Sequence, residues 1–299
     1  MNILLLGPNG QVGWQLQRAL APLGTVVTAG RHGGASLQAD LSAPATLAAL
    51  LDRVRPALIV NAAAHTAVDK AESEPEQAQA INARAPAELA RCAAALGVPL
   101  VHYSTDYVFD GSGSQARNEE AATGPLSVYG RSKLAGEDAI RASGCHHLIL
   151  RTSWVYAARG GNFARTMLRL AAERDTLNVI NDQIGAPTGA ELLADVTAHA
   201  VRRLLADSSV SGPYHCAAAG TTSWHGYACR VIEQARERGQ VLKVDAAAVR
   251  AISSSDYPTP ARRPLNSRLD CSKLEQTFGL HLPPWQQGVD RMLSEVLGA

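Results

Sequence analysis

Three glycines separated by two residues each follow the first apolar run of the chain, and few folds place glycines in this way. Residues 2–6 lead directly into Gly7, Gly10 and Gly13, and a helical pattern begins at Gln11. In a βα unit such glycines let the backbone turn tightly, and the free N–H groups at the helix N-terminus bind a pyrophosphate. The spacing therefore predicts a dinucleotide-binding turn, with an ordinary glycine-rich turn as the alternative.

Short apolar runs alternate with longer alanine-rich segments through the first half of the chain. The apolar runs predict five strands, at residues 2–6, 25–29, 58–61, 100–104 and 147–152. The segments between them predict helices at residues 11–23, 43–54, 78–96 and 127–142. Alternating strands and helices indicate βαβ units. We therefore expect an α/β, doubly wound Rossmann-type parallel sheet that binds ligands at the carboxyl ends of its strands.

The end of the second predicted strand bears on the choice of dinucleotide. An NAD-preferring site usually carries an acidic residue there, whereas this strand runs into Arg31. Arg31 is suited to the 2′-phosphate of NADP, so NADPH is favoured, while NADH and a merely solvated arginine stay open. A further short strand, not among these five, is expected just before Asp40 and Leu41. These two residues are then placed on either side of the adenine of the cofactor.

The second half of the chain is less regular, with further predicted helices near residues 190–205 and 223–238. We predict an NADP(H)-binding Rossmann domain over residues 1–155. Residues 156–299 then form mainly a smaller, interleaved C-terminal substrate lobe, with some segments returning to the first domain.

Composition narrows the classes of partner. The 299 residues carry 28 Lys and Arg against 27 Asp and Glu, and nucleic-acid binding needs clustered basic residues, so we expect no nucleic-acid partner. No stretch reaches the ~20 apolar residues that span a bilayer, and no basic leader precedes the N-terminal apolar run. Five scattered cysteines without a C-x-x-C pair indicate reduced thiols. We expect a cytoplasmic protein with no membrane partner.

Tyr129 and Lys133 are four residues apart in a predicted helix, so their side chains share one face. A tyrosine with an ordinary pKa near 10 is a poor acid–base catalyst at neutral pH. A neighbouring ammonium favours the phenolate and lowers that pKa, which suits proton transfer at a carbonyl. The pair is common by chance, and its place after a glycine turn and four βα units is what indicates catalysis.

Together these motifs resemble the extended short-chain dehydrogenase/reductase family. The segments that carry the resemblance are residues 7–14, 61–70, 103–109, 129–137, 151–156, 181–188 and 260–269. The last three of them resemble the branch that forms dTDP-L-rhamnose. The resemblance implies an oxidoreductase that uses NADPH to reduce the C4 keto group of dTDP-4-dehydro-L-rhamnose. That would be the last step of dTDP-rhamnose biosynthesis, which serves surface polysaccharides such as the O-antigen of lipopolysaccharide.

The resemblance also implies roles for individual residues. Tyr129 would protonate the sugar oxygen, Lys133 would hold the nicotinamide ribose and lower the tyrosine pKa, and Thr105 would hydrogen-bond the reacting carbonyl. The implied cofactor-binding set is Gly7, Gly10, Gln11, Val12, Gly13, Arg31, Asp40, Leu41, Ala63, Ala64, His65, Tyr129 and Lys133. The implied substrate-binding set is Thr105, Asp106, Trp154, Arg262, Arg263 and Arg268. For the three arginines a solvated basic loop is the alternative, for Trp154 a place in the core, and for His65 a satisfied loop histidine.

Two other functions stay open. A nucleotide-sugar epimerase or dehydratase shares the glycine turn and the Tyr/Lys pair, although dehydratases of this family follow the threonine with an Asp-Glu pair and here Tyr107 follows Asp106. A non-catalytic NADP-binding regulatory subunit is the alternative from another class.

Some relatives are described with Mg²⁺ shared between subunits through glutamates. Here Gln15 stands at one matching position and Glu191 and Glu295 are the remaining candidates, so the metal is doubtful. A homodimer stays open.

Overall fold

A computed structural model of the chain describes residues 1–31 and 33–298. The strands are β1 (Asn2–Leu6), β2 (Thr25–Gly30), β3 (Leu37–Gln38), β4 (Leu58–Asn61), β5 (Leu100–Thr105), β6 (His147–Thr152), β7 (Val155–Tyr156), β8 (Leu177–Ile180), β9 (Ile184–Gly185), β10 (Thr188–Gly189), β11 (Gly212–His215), β12 (Thr222–Ser223) and β13 (Val249–Ile252). The helices are α1 (Gln11–Leu20), α2 (Leu47–Val54), α3 (Val68–Ser73), α4 (Pro75–Gln79), α5 (Ala85–Leu96), α6 (Val128–Ala142), α7 (Phe163–Glu173), α8 (Ala190–Ala206), α9 (Trp224–Glu237), α10 (Ser272–Phe278) and α11 (Trp285–Leu297).

One parallel sheet of seven strands, in the order β11-β6-β5-β4-β1-β2-β3, organises the chain. The order runs outward from β1 in both directions, so the glycine turn after β1 lies where the strand order reverses. In open α/β sheets that point is where ligands bind. The Rossmann-type sheet predicted from the sequence is confirmed.

Alternating residues of β1 divide the core between the two faces of the sheet. Ile3 and Leu5 pack among apolar side chains of α1, α8 and α10. Leu4 and Leu6 pack on the other face among side chains of α2, α5 and α6. Strands that are buried on both faces read as unbroken apolar runs, which is why the sequence predicts them so closely.

A third apolar cluster lies away from the sheet and combines α7, α9 and α11 with β8 and β13. We call these elements, with the two-residue strands β7, β9, β10 and β12, the second lobe. Its short strands pair across long stretches of sequence: β7 with β10, β9 with β12 and β8 with β13. Strand β11 and helices α8 and α10, although late in the chain, pack in the sheet region.

The helix predicted over residues 78–96 is divided in the structure. Helix α4 continues through a π-helical turn, Ala80–Arg84, into α5. Pro86 has no N–H to donate to the carbonyl of Asn82, which disturbs the regular ladder there. Helix α6 approaches this point so closely that a Cβ on Gly136 would lie 2.2 Å from the Asn82 carbonyl oxygen.

Among the described helices, none is long and apolar enough to cross a membrane.

Candidate active site

The turn after β1 has the close backbone packing that its glycines allow. Gly7 has φ +77°, and a Cβ there would lie 2.8 Å from Ala63. A Cβ on Gly13 would lie 2.0 Å from the Gly7 carbonyl oxygen. Helix α1 starts after Gly10 with no acidic residue in its first turn and no capping side chain among the described residues. Its first N–H groups therefore suit an anionic ligand.

The adenosine end of the predicted cofactor site lies at the carboxyl ends of β2 and β3. Arg31 is exposed directly after β2. Asp40 follows β3 and accepts a hydrogen bond from the Ser42 N–H at 2.9 Å, and Leu41 is buried. The fold thus brings these three predicted residues to the edge of the sheet that carries the glycine turn.

The loop after β4, which carries Ala63, Ala64 and His65, is held by two buried asparagines. The Ala63 N–H donates to Asn61 Oδ1 at 3.1 Å. Asn82 Oδ1 accepts from the His65 N–H at 2.8 Å, and its Nδ2 donates to the His65 carbonyl at 3.0 Å. The His65 imidazole is largely buried and lies 3.7 Å from a Glu74 carboxylate oxygen.

Asn82 is a site residue that the sequence analysis missed. Its Nδ2 also donates to Ser132 Oγ at 3.0 Å, and Ser132 donates to the Tyr129 carbonyl at 2.8 Å. The side chain thereby links the predicted cofactor loop to helix α6. A polar residue among the alanines of a buried helix is the signal that could have identified it.

Helix α6 begins where Ser127 Oγ accepts from the Gly130 N–H, which is an N-terminal cap. Tyr129 and Lys133, one turn apart, are both buried. The Lys133 Nζ lies 2.7 Å from the Tyr103 carbonyl oxygen and 3.0 Å from His102 Nε2. Burial lowers the pKa of Lys133 to about 8, although the Glu137 carboxylate opposes this shift.

The pKa of Tyr129 lies above its usual value, whereas the sequence led us to expect that Lys133 lowers it. Burial raises the pKa of the Tyr129 phenol to about 12, and the hydrogen bond with Thr105 only partly opposes this. In this arrangement the Lys133 amine lies against His102 and the Tyr103 carbonyl on β5. The phenol is therefore a proton donor as it stands, in contact with the hydroxyl of Thr105.

Thr105 ends β5 and connects Tyr129 to a buried carboxyl group. Its Oγ donates to Asp106 Oδ1 at 3.0 Å and accepts from the Tyr107 N–H at 3.2 Å. Asp106 is 2% exposed, and burial raises its pKa to about 6 against the hydrogen bonds from Ser267 and Thr105. Ser267, which the sequence analysis did not single out, reaches this site because its N–H donates to the Ile184 carbonyl at 2.8 Å.

Trp154 follows β6, whose last residue, Thr152, pairs in register with Thr105. Trp154 has φ +49°, a left-handed conformation that is strained for a bulky residue. Its ring stacks on Trp224 with centroids 3.7 Å apart, and the Trp224 Nε1 donates to Gln183 Oε1 at 3.1 Å. A Cβ on Gly185 would lie 2.8 Å from the Trp154 ring. The ring is thus packed from two sides by residues of the second lobe. The sequence analysis gave no role to Trp224 or to Gln183, although Gln183 lies in the segment 181–188 that carries the resemblance.

The three arginines expected at the substrate diphosphate have different surroundings. Arg263 donates to both carboxylate oxygens of Asp69, at 2.7 and 3.1 Å. Arg268 donates to Asn266 Oδ1 at 3.0 Å. Arg262 is exposed. The ion pair connects the 260–269 loop to helix α3. Arg263 therefore forms a contact between two segments, and the sequence did not predict this contact.

Glu191 and Glu295, the candidate Mg²⁺ ligands, lie beside one guanidinium. The Arg291 Nε is 3.4 Å from Glu191 Oε2 and 3.5 Å from Glu295 Oε1. Within the described residues no group of three or more His, Cys, Asp and Glu side chains is placed to hold a metal. With Gln15 in place of a carboxylate, these residues do not fit a Mg²⁺ site formed by one chain.

Comparison with known proteins identifies relatives along the whole chain. The family model described as the RmlD substrate binding domain matches residues 1–297. The dTDP-4-dehydrorhamnose reductase of Escherichia coli (strain K12) is 56% identical over 296 residues, covering 99% of this chain and 98% of that protein. A crystal structure of a dTDP-4-dehydrorhamnose reductase from Clostridium acetobutylicum superposes with a TM-score of 0.88 at 31% identity, over 100% of both chains. The Bacillus anthracis dTDP-4-dehydrorhamnose reductase, solved in complex with NADP, superposes with a TM-score of 0.86 at 32% identity, over 98% of this chain and 99% of that one.

Proposed function

The chain belongs to the family described as the RmlD substrate binding domain, and from that premise we propose that it is an NADPH-dependent oxidoreductase. Its reaction is reduction of the C4 keto group of dTDP-4-dehydro-L-rhamnose to give dTDP-L-rhamnose. The observation that carries the proposal is the meeting of Thr105, Tyr129 and Lys133 at the carboxyl edge of the sheet, beside the glycine turn.

The chemistry assigns one task to each of these three residues, and that of Lys133 is to hold the nicotinamide ribose. Bound NADPH supplies a hydride to the keto carbon, so negative charge develops on the carbonyl oxygen. The Thr105 hydroxyl, which donates to Asp106 Oδ1 in this structure, would turn to donate to that oxygen, and the Tyr129 phenol gives it a proton. A phenol whose pKa is raised to about 12 holds its proton at neutral pH until the alkoxide forms. Because an alkoxide is a stronger base than a phenolate, the transfer is favourable in this direction.

The substrate side of the site is formed by Asp106, Ser267 and the stacked pair Trp154 and Trp224. A carboxyl group and a hydroxyl group suit the hydroxyls of a sugar, and an indole face suits a sugar ring or a base. Asp106 is followed by Tyr107, whose ring packs edge-on against Tyr129 with centroids 5.5 Å apart. The second carboxylate expected of a dehydratase is therefore missing, which favours a reductase.

The preference for NADPH over NADH rests on Arg31. This exposed arginine follows β2, where an NAD-preferring site usually carries an acidic residue. A guanidinium binds a phosphate strongly through charge-assisted hydrogen bonds. A homodimer stays a prediction. The molecular mass in solution tests for the dimer, and a change of that mass on adding a chelator tests whether the dimer depends on a shared cation.

The decisive test is Tyr129→Phe in an assay that follows NADPH absorbance after addition of the keto sugar nucleotide. We expect kcat to fall by roughly 10²- to 10⁴-fold, the usual contribution of a positioned acid, while the Kd for NADPH changes little. The matched control is Tyr227→Phe. Tyr227 is also buried, in the second lobe, and its hydroxyl has no hydrogen-bond partner among the described residues, so kcat should be unchanged.

Two results would contradict the proposal. Wild-type turnover by Tyr129→Phe would remove the phenol from the reaction. A wild-type chain that binds NADPH but never oxidises it in the presence of the keto sugar would favour the non-catalytic NADP-binding alternative.

A further inference from the structure

His102 is buried in the sheet between two groups of the proposed site. It lies on β5 in register with Asn61 on β4, and both side chains are 1% exposed. One ring nitrogen, Nδ1, is 3.1 Å from Asn61 Nδ2, and the other, Nε2, is 3.0 Å from Lys133 Nζ. A single imidazole therefore connects the loop after β4 with the lysine of α6.

The backbone fixes the orientation of the Asn61 amide. The Ala63 N–H can only donate, and it lies 3.1 Å from Asn61 Oδ1, so the amide oxygen is engaged there. The amide nitrogen then faces His102 and donates to Nδ1. Because Nδ1 accepts, a neutral His102 carries its proton on Nε2.

This tautomer has a consequence for Lys133. The Nε2–H points at the lysine nitrogen, which must accept, and only a neutral amine has a lone pair for this. The amine in turn donates to the Tyr103 carbonyl at 2.7 Å. An ammonium at this position would face a second donor. The conflict is relieved only if the His102 proton moves to Nδ1 and the Asn61 amide turns over, which breaks its bond with Ala63.

Of the charged groups near Lys133, the Glu137 carboxylate favours the ammonium, whereas burial favours the neutral amine more strongly. His102 faces it from β5, and Glu137 lies one turn further along α6 with its carboxylate held by Arg151 at 2.6 Å. Tyr129 lies one turn before it, and Asp106 lies close to Tyr129 at the end of β5. Burial lowers the pKa of His102 well below 6.5, which keeps the imidazole neutral, and it lowers the pKa of Lys133 to about 8.

We propose that Asn61 and His102 are positioning residues that favour the neutral amine of Lys133 against β5, and that the lysine becomes fully protonated when it turns to the ribose hydroxyls of the nicotinamide cofactor. The proton comes from solvent, and no covalent bond to carbon forms or breaks. The inference rests on the proposed use of NADPH. Binding of the cofactor is then coupled to proton uptake, and Asn61 connects that uptake to the backbone of the cofactor loop at Ala63.

The test is calorimetry of NADPH binding to the full chain in two buffers that differ in ionisation enthalpy, repeated across pH. A site with a pKa of about 8 that becomes fully charged takes up roughly 0.1 proton at pH 7, 0.5 at pH 8 and 0.9 at pH 9. The 2′-phosphate, with a second pKa near 6, can release up to about 0.1 proton at pH 7 and little at pH 8 and above, so the measurements at pH 8 and pH 9 are the decisive ones.

Two variants should abolish the uptake, because each replaces the donor that faces Lys133 with an acceptor. In His102→Gln the amide oxygen accepts from an ammonium, so Lys133 stays charged before the cofactor binds. In Asn61→Asp one carboxylate oxygen keeps the Ala63 bond and the other accepts from His102 Nδ1–H, so Nε2 accepts from the ammonium. The control, His147→Gln, changes a partly buried histidine whose Nδ1 lies against the Cys145 carbonyl, away from Lys133. It should keep wild-type uptake.

NADPH binding without proton uptake by the wild-type chain overturns this inference and leaves the proposed function intact. Wild-type uptake in both His102→Gln and Asn61→Asp also overturns it. Absence of NADPH binding by the wild-type chain overturns both proposals. The wild-type measurement can overturn the inference by itself. The inference therefore stays testable even if a variant fails to fold.

Discussion

The parallel sheet and the second lobe hold their site residues in place by different means. In the sheet region most site residues lie at the carboxyl end of a strand: Gly7 follows β1, Arg31 follows β2, Ala63 lies just after β4, and Thr105 ends β5. In the second lobe Trp154 precedes the two-residue strand β7 and is fixed by a stacked tryptophan and a close glycine.

This difference indicates how strongly single substitutions in each region should affect the free energy of unfolding. Strand order brings the carboxyl ends of the sheet together whatever the side chains there are, so the sheet region depends on its backbone and core. The second lobe and its junction with the sheet depend on particular side-chain contacts. Single substitutions should therefore have large effects where a charge is buried near the sheet and small effects at the exposed junction.

The largest effect is expected at the ion pair that fixes helix α6 to β6. Glu137 and Arg151 are both at most 1% exposed, and three nitrogen–oxygen distances between them lie from 2.6 to 3.1 Å. Glu137→Gln leaves the guanidinium buried without its counter-charge. We expect the free energy of unfolding to fall by about 3–5 kcal/mol, as measured by urea denaturation at pH 7.

The matched control for that change is Glu76→Gln, at an ion pair with Arg84 whose side chains are 88% and 55% exposed. It should change the free energy of unfolding by no more than about 1 kcal/mol. Equal losses in the two variants would mean that burial does not separate these pairs.

A substitution at Asp106 should stabilise the chain at neutral pH. Its pKa is raised from 3.8 to about 6, so between these values the folded chain binds more protons than the unfolded chain. Stability therefore falls as the pH rises through this window. Asp106→Asn has no charge to bury, and the variant should be more stable than the wild type by up to about 3 kcal/mol at pH 7.

Below about pH 3 that difference should vanish, because the wild-type carboxyl is then mostly protonated in both the folded and the unfolded chain. Urea denaturation of both chains at pH 3 and pH 7 measures it. A stability gap independent of pH would show that packing, not ionisation, separates the two chains.

The smallest effect is expected at the junction between the sheet region and the 260–269 loop. The Asp69 and Arg263 side chains are 41% and 23% exposed, so solvent screens the pair, and Asp69→Asn should lower stability by at most about 1 kcal/mol at pH 7. The hydrogen bond from Arg263 lowers the pKa of Asp69 below 3.8. The contribution is thus present above pH 3.8 and lost as the pH falls through the folded-state pKa.

Urea midpoints of the wild type and Asp69→Asn at pH 7 and pH 3 check this direction. A loss as large as that of Glu137→Gln would show that the junction is as essential as the sheet core.

Local patterns predicted five of the seven strands of the sheet to within one residue at each end, and β11 was missed. The predicted strand over residues 100–104 extends to Thr105, and the one over residues 25–29 extends to Gly30. Apolar runs and glycine spacing act over a few residues, so sequence reports them directly. The helix predicted over residues 78–96 is confirmed as helical, but it starts earlier, at Pro75, and contains a π-helical turn, because Pro86 interrupts the hydrogen-bond ladder.

Residues whose partners lie far away in sequence were missed. Asn82 binds His65 and Ser132, and Ser267 binds Asp106, across intervals for which no local pattern exists. Their roles depend on which polar groups are buried together, and burial is a property of the packed chain.

The sequence by itself determined the βα units, the glycine turn and a helix face that presents Tyr129 and Lys133 together, because each depends on spacing within one element. Only the tertiary structure decided that Lys133 lies against His102, that Arg263 pairs with Asp69, and that the phenol of Tyr129 is buried. The physical reason is that a buried polar group must find its partner among the groups that packing brings within about 3 Å, wherever they lie along the chain.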